Sequence, residues 1–153
     1  MVRPKPERWL PEGFAEGVVE RDAPACWIVD HDLWQRPCSG RLEVFHFIAR
    51  QRVENAMWDA LREALEDRHE VWALIHLGAW DPRNGGLACA DEHHPRFDKH
   101  RMPPLEIHAL DLPEHVLEFA SDYGLEEQLG KFPGAARLEL PPRKSPPPAM
   151  KEI

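Results

Sequence analysis

The sequence predicts an α+β fold, and three stretches carry that expectation. Arg41 to Ala49 alternates, with Leu42, Val44, His46 and Ile48 on one face and Glu43, Phe45 and Phe47 on the other, which is the two-residue period of a strand. Val53 to Leu65 repeats Ala56, Met57, Ala60, Leu61, Ala64 and Leu65 at helical spacing, with Glu54, Asp59, Arg62 and Glu63 facing outwards. Asp111-Leu112-Pro113-Glu114 opens a further helix, with Asp111 as N-cap and Glu114 at the capping-box position. Val116, Phe119 and Ala120 form its apolar stripe, and Gly124 ends it.

The remaining elements follow in order. Cys26-Trp27-Ile28-Val29 is a short apolar run that reads as a strand, and Asp30 to Gly40, with Pro37, Ser39 and Gly40, reads as a loop. Glu70 to Gly78 reads as a buried strand. Trp80 to Gly86 is a turn, since Pro82 and the two glycines break either regular pattern. A short helix starts around Asp91 to Pro95, with Pro95 confined to its first turn, and Leu125 to Leu129 adds one more helical turn. Residues 1–12 form a polar arm, 13–140 a single domain, and 141–153 a Pro-rich tail expected to be extended or disordered, because Pro lacks the N–H that helices and ladders use.

Composition bounds the function. A chain of 153 residues fits one domain with an ordinary core. An apolar fraction of 42% with six tryptophans argues against wholesale disorder. The net charge of −8 argues against a polycation that coats nucleic acid. It leaves room for a nuclease with a local basic strip, or with a metal that offsets nearby acids. There is no apolar run of membrane-spanning length and no apolar segment of signal-peptide type at the N-terminus. Cys26, Cys38 and Cys89 are odd in number and lack CxxC pairs, so a disulfide framework is not expected and a reducing, cytoplasmic setting is.

Three clusters carry the chemistry: Glu43-Val44-Phe45-His46, then Asp81-Pro82-Arg83-Asn84, then Cys89 followed by His93-His94 and Asp98. Together with the flanking Cys38 to Gln51 stretch, they resemble the HNH endonucleases, most closely the small phage and prophage-type members. The likeness spans roughly residues 37–130. It implies a ββα-metal core, a β-hairpin plus helix gripping one divalent ion, with additional helices around it. By that resemblance His46 is the general base and Asn84 braces the loop or touches the metal. His94 and Asp98 are metal ligands, Asp98 lying one helical turn beyond His94, and Glu43 and His93 are further candidates. Arg96, Lys99 and Arg101 would hold phosphate. The cofactor would be one divalent ion, Mg, Mn or Zn, and the partner DNA.

Many family members carry a metal ligand immediately before the base, and Phe45 has no donor atom. Three outcomes stay open. The site uses more water, Glu43 reaches in through a bulge, or this copy is a degenerate module that binds a basic protein surface or nucleic acid without cutting it. Taken singly, His46 also reads as a partly buried strand histidine, Asn84 as a turn residue and His93 as facing the core beside Phe97. Arg96, Lys99 and Arg101 also read as a solvated face. The cysteines read as small apolar fillers, with a structural zinc shared among them and His31 as the minority reading. His69, His76, His108 and His115 read as scattered residues without a site.

Overall fold

The computed structural model describes residues 13–105, 107 and 109–131; the expected arm and tail, and His108, lie outside them. The fold is α+β, with a two-stranded antiparallel hairpin among helices. Strand β1 (Leu42–His46) pairs with β2 (Gly85–Cys89), Leu42 opposite Cys89 and His46 opposite Gly85. The ladder continues past both ends. The Phe47 N–H donates to the Asn84 carbonyl at 2.8 Å, and the Ala90 N–H to Arg41 at 2.8 Å.

The alternation in β1 separates two environments. Helix α1 (Phe14–Asp22) covers one face, where Phe14, Val18 and Leu87 form a small cluster with Leu42, Val44 and Trp80. A side chain at Gly85 would collide with Val18 and Phe14, so the close approach of α1 requires glycine there. The other face joins the main core. Phe45 is 3% exposed and packs on Phe47 and Phe97, with ring centroids 4.7 and 5.0 Å away. Phe97 belongs to α4 (His93–Asp98), which follows β2 directly and completes a ββα unit.

Between the strands lie α2 (Arg50–Leu61) and α3 (Arg68–Ala79), packed on each other, with Trp58 and Trp72 stacked at 5.1 Å. The expected strand over Glu70 to Gly78 is therefore helix. Val71, Trp72, Ile75, Gly78 and Ala79 are buried while Ala73 and Leu77 are exposed, a helical period that a nearly all-apolar run conceals. Asp67 caps this helix, accepting the His69 N–H at 2.8 Å.

Helix α5 (Glu114–Tyr123) begins without a side-chain cap, so Asp111 does not act as its N-cap. Asp111 instead sits in a 3₁₀ turn, Ala109–Asp111. The helix ends as expected at Gly124, whose φ of 69° lies in the left-handed region that favours glycine. The run expected as a strand at Cys26 to Val29 leads into another 3₁₀ turn, Ile28–His31. Among the described residues, no helix is long and apolar enough to cross a membrane.

Gly86 lies opposite Phe45, and an added methyl would come within 2.8 Å of the rings of both Phe45 and Phe47. Gly86→Ala should destabilise the fold by about 1–3 kcal/mol, the usual cost of overpacking a filled core. Urea unfolding measures this, and an unchanged midpoint would mean that the aromatic layer yields freely.

Candidate metal centre and the cleft beside it

Four side chains from separate parts of the chain meet behind α4. Cys26 follows α1, Cys38 lies in the loop before β1, Cys89 is the last residue of β2 and His93 is the first of α4. Their donor atoms all lie within 4.8 Å of one another, so the group could hold a metal ion. His93 Nδ1 is 3.0 Å from the Cys89 sulfur and 3.7 Å from those of Cys26 and Cys38. A tetrahedral zinc with ordinary bond lengths would set these nitrogen–sulfur edges at about 3.6 Å. Three sulfurs and an imidazole are a soft donor set, which suits zinc better than magnesium or calcium.

Backbone contacts draw these segments together. The Trp27 N–H donates to Leu87 at 2.8 Å, beside Cys26, and the Asp91 N–H to Ser39 at 2.9 Å, beside Cys38. Gly40, at φ 85°, turns the chain past Asp91, where a side chain would meet its carboxylate. The thiols are electrostatically distinct. Burial and the adjoining Cys26 and Cys89 push Cys38 up to about 12. Burial alone would also raise Cys89, but hydrogen bonds, led by the His93 backbone N–H, bring it down to about 7. Crowded thiols resist ionising together, and a divalent cation removes that penalty.

Behind His93 sits a buried ion pair. Its Nε2 is 3.2 Å from Asp32 Oδ2, and both side chains are fully buried. Arg96 grips the same carboxylate through two nitrogens at 2.6 and 2.9 Å. Burial would raise the Asp32 carboxyl, but Arg96 and the backbone N–H groups of Trp34 and Arg36 hold it at about 2. Arg96 is 2% exposed and also donates to the Pro103 carbonyl at 2.6 Å. It is therefore a buried structural cation, which corrects its expected phosphate contact.

The residues expected for catalysis lie elsewhere and divide between the two faces of the hairpin. On the α4 side, the His94 ring stands between two carboxylates, with Nδ1 3.3 Å from Glu43 and Nε2 3.2 Å from Asp98. Glu43 arrives without a bulge, because residues two apart on a strand share a face. His94 and Asp98 border a cleft whose walls include Phe45, Arg50, Arg52 and His100, and Glu43 meets the His94 ring from beside it. Lys99 and Arg101 are exposed just beyond α4. His93 points away from this cleft, into the cysteine cluster.

His46 also borders the cleft at the end of β1, yet its ring faces α1. It stacks on Phe14 at 4.4 Å and meets the edge of Trp80 at 5.5 Å. Its Nε2 is sealed from solvent with no hydrogen-bond partner among the described residues. Burial lowers its pKa from 6.5 to about 4, against a raising contribution from the Ala79 backbone. The structure therefore does not bring the His46 ring to His94. Asn84 is fully buried, and its amide accepts the Ile48 N–H and donates to the Ile48 carbonyl, both at 2.8 Å. It fastens the chain leaving β1 to the chain entering β2.

The cysteines and His93 were the residues that the sequence concealed as a set. The histidine of the group is His93 and not His31, whose ring stacks on Trp27 at 4.1 Å. One local signal was present: Cys89 and His93 are four residues apart across a strand end and a helix start.

His46 also fixes a pH dependence. Between pH 6.5 and about 4 the unfolded chain binds a proton that folded His46 refuses, so its neutral-ring contribution is complete above pH 6.5 and is lost as the pH falls towards 4. The loss should be on the order of 3 kcal/mol. Burial shifts His76 and His115 in the same direction. Urea unfolding at a series of pH values should show stability falling through this window, and His46→Phe should flatten the fall. An identical slope in the variant would contradict the assignment.

No protein-family model matches the chain, and no curated protein or solved structure matches it either.

Proposed function

We propose that this chain is an HNH-like, metal-dependent DNA endonuclease whose fold is stapled by a separate structural zinc. Cys26, Cys38, Cys89 and His93 hold the zinc. The reactive site is the cleft beside α4, where His94 and Asp98 are the ligands of a second divalent ion and Glu43 orients the His94 ring. The observation that carries this reading is His94 standing between Glu43 and Asp98 at 3.3 and 3.2 Å, at the start of the helix in a ββα unit. Adjacent ligands of an ion bonded at about 2.1 Å lie about 3 Å apart, so the His94–Asp98 pair needs little rearrangement. The carboxylate on the other ring nitrogen fixes the tautomer, as outer partners of ligating histidines do.

A bound ion would supply charge for the developing oxyanion and acidify a water. The protein's part is to hold that ion, seat the phosphate and keep the cleft shaped. Arg50 and Arg52 on its wall supply positive charge, and Asn84 fixes the adjoining turn through Ile48. Phe45 contributes no ligand and walls the cleft with its ring, 6.0 Å from that of His94.

A second reading is a module that binds DNA or a basic protein without cutting. The sealed His46 Nε2 and the apolar Phe45 favour it, since a general base must reach the proton that it accepts. Plasmid nicking separates the two. The endonuclease reading predicts cleavage stimulated by Mg²⁺ or Mn²⁺ and reduced at least tenfold in both His94→Ala and Asp98→Ala. No cleavage with any ion, or full activity in His94→Ala, would overturn it, and retention of DNA without cleavage would establish the binding module.

A further inference from the structure

We propose that Asp32 is the positioning residue of the cysteine–histidine centre, holding His93 in the tautomer that presents Nδ1 to the metal and setting the turn that returns the chain to Cys38. This deepens the zinc reading above and rests on it. Two sets of contacts carry it.

The first set is around the imidazole. His93 is fully buried, with Nδ1 facing three sulfurs and Nε2 facing one Asp32 oxygen at 3.2 Å. Every other contact of that carboxylate is with a donor: two Arg96 nitrogens at 2.6 and 2.9 Å, the Trp34 N–H at 3.1 Å and the Arg36 N–H at 3.2 Å. A carboxylate so surrounded acts as an acceptor, so Nε2 must be the donor. With its proton on Nε2, the ring offers the Nδ1 lone pair to whatever the sulfurs bind. Asp32 touches no sulfur and acts only through His93.

The second set is along the chain. Asp32 lies between Cys26 and Cys38, and its two oxygens accept the backbone N–H groups of Trp34 and Arg36. Within this turn Gln35 takes a φ of 51°, a conformation that non-glycine residues seldom adopt. The same carboxylate therefore orders the loop that carries Cys38 and orients His93. Burying an ion pair such as Asp32–Arg96 is on its own weak support for stability, and apolar side chains often serve better. Control of a ligand gives this pair a use that apolar residues could not supply.

Nitrogen NMR of the zinc-loaded wild type tests the tautomer without any substitution. The ion should sit on His93 Nδ1 and a slowly exchanging proton on Nε2, and the reverse assignment would overturn the proposal. Chelator competition tests the energetic link. Asp32→Asn should weaken zinc binding about 10- to 100-fold, the usual effect of losing such a partner. In a His93→Cys background, where the ligand has no second nitrogen, the same change should cost at least about threefold less than in the wild type, because the coupling through the ring has gone and only the contribution of the Cys38 loop is left. Equal losses in both backgrounds would make Asp32 a purely structural residue and overturn the role. A wild type that binds no zinc would instead overturn the metal reading itself.

Discussion

The convergence of three sulfurs and one imidazole behind α4 is the constraint on which the rest of the structure depends. Cys26, Cys38, Cys89 and His93 come from the segment after α1, the loop before β1, the end of β2 and the start of α4. Their packing within 4.8 Å of one another ties four chain segments together. It sets where α4 begins, and therefore where His94, its next residue, must point. The cleft beside α4 is thus a geometric consequence of the centre behind it. Adjacent histidines divide the work: His93 turns inward to sulfur, and His94 outward to Glu43 and Asp98.

The hairpin makes the same division in strand form. Alternation sends Glu43 and Phe45 towards α4 and His46 towards α1. Glu43 and Phe45 thus stand beside His94, while the His46 ring fills the space between Phe14 and Trp80. Asn84 serves both sides. By closing two hydrogen bonds on Ile48 it holds the ends of β1 and β2 together where the two faces meet. Losing that amide would leave a buried backbone donor and acceptor unpaired, a costlier change than removing a neutral contact.

Much of this architecture was legible in the sequence, and the exceptions have physical causes. The strand over Arg41 to Ala49 and the end of α5 at Gly124 follow from period and glycine chemistry, and both stand. The run from Val71 to Leu77 is apolar almost throughout, so its period could not separate helix from strand, although Asp67 offered a cap. The opposite faces of Glu43 and His46 were also readable from alternation alone. The full cysteine–histidine cluster was not, because Cys26 and Cys38 are joined by a loop whose path depends on the contacts of Asp32. Arg96 read as a surface cation for a similar reason: nothing local places a buried carboxylate beside it.

Native mass spectrometry of the purified full chain is the most direct test of the account. If the cysteine–histidine group is the staple, the folded protein carries one zinc, its mass raised by that ion less the protons displaced from the thiols. Removing the ion with a strong chelator should also shift the charge-state distribution towards that of an unfolded chain. A compact protein that is metal-free as purified, and gains nothing when zinc is added, would contradict the claim.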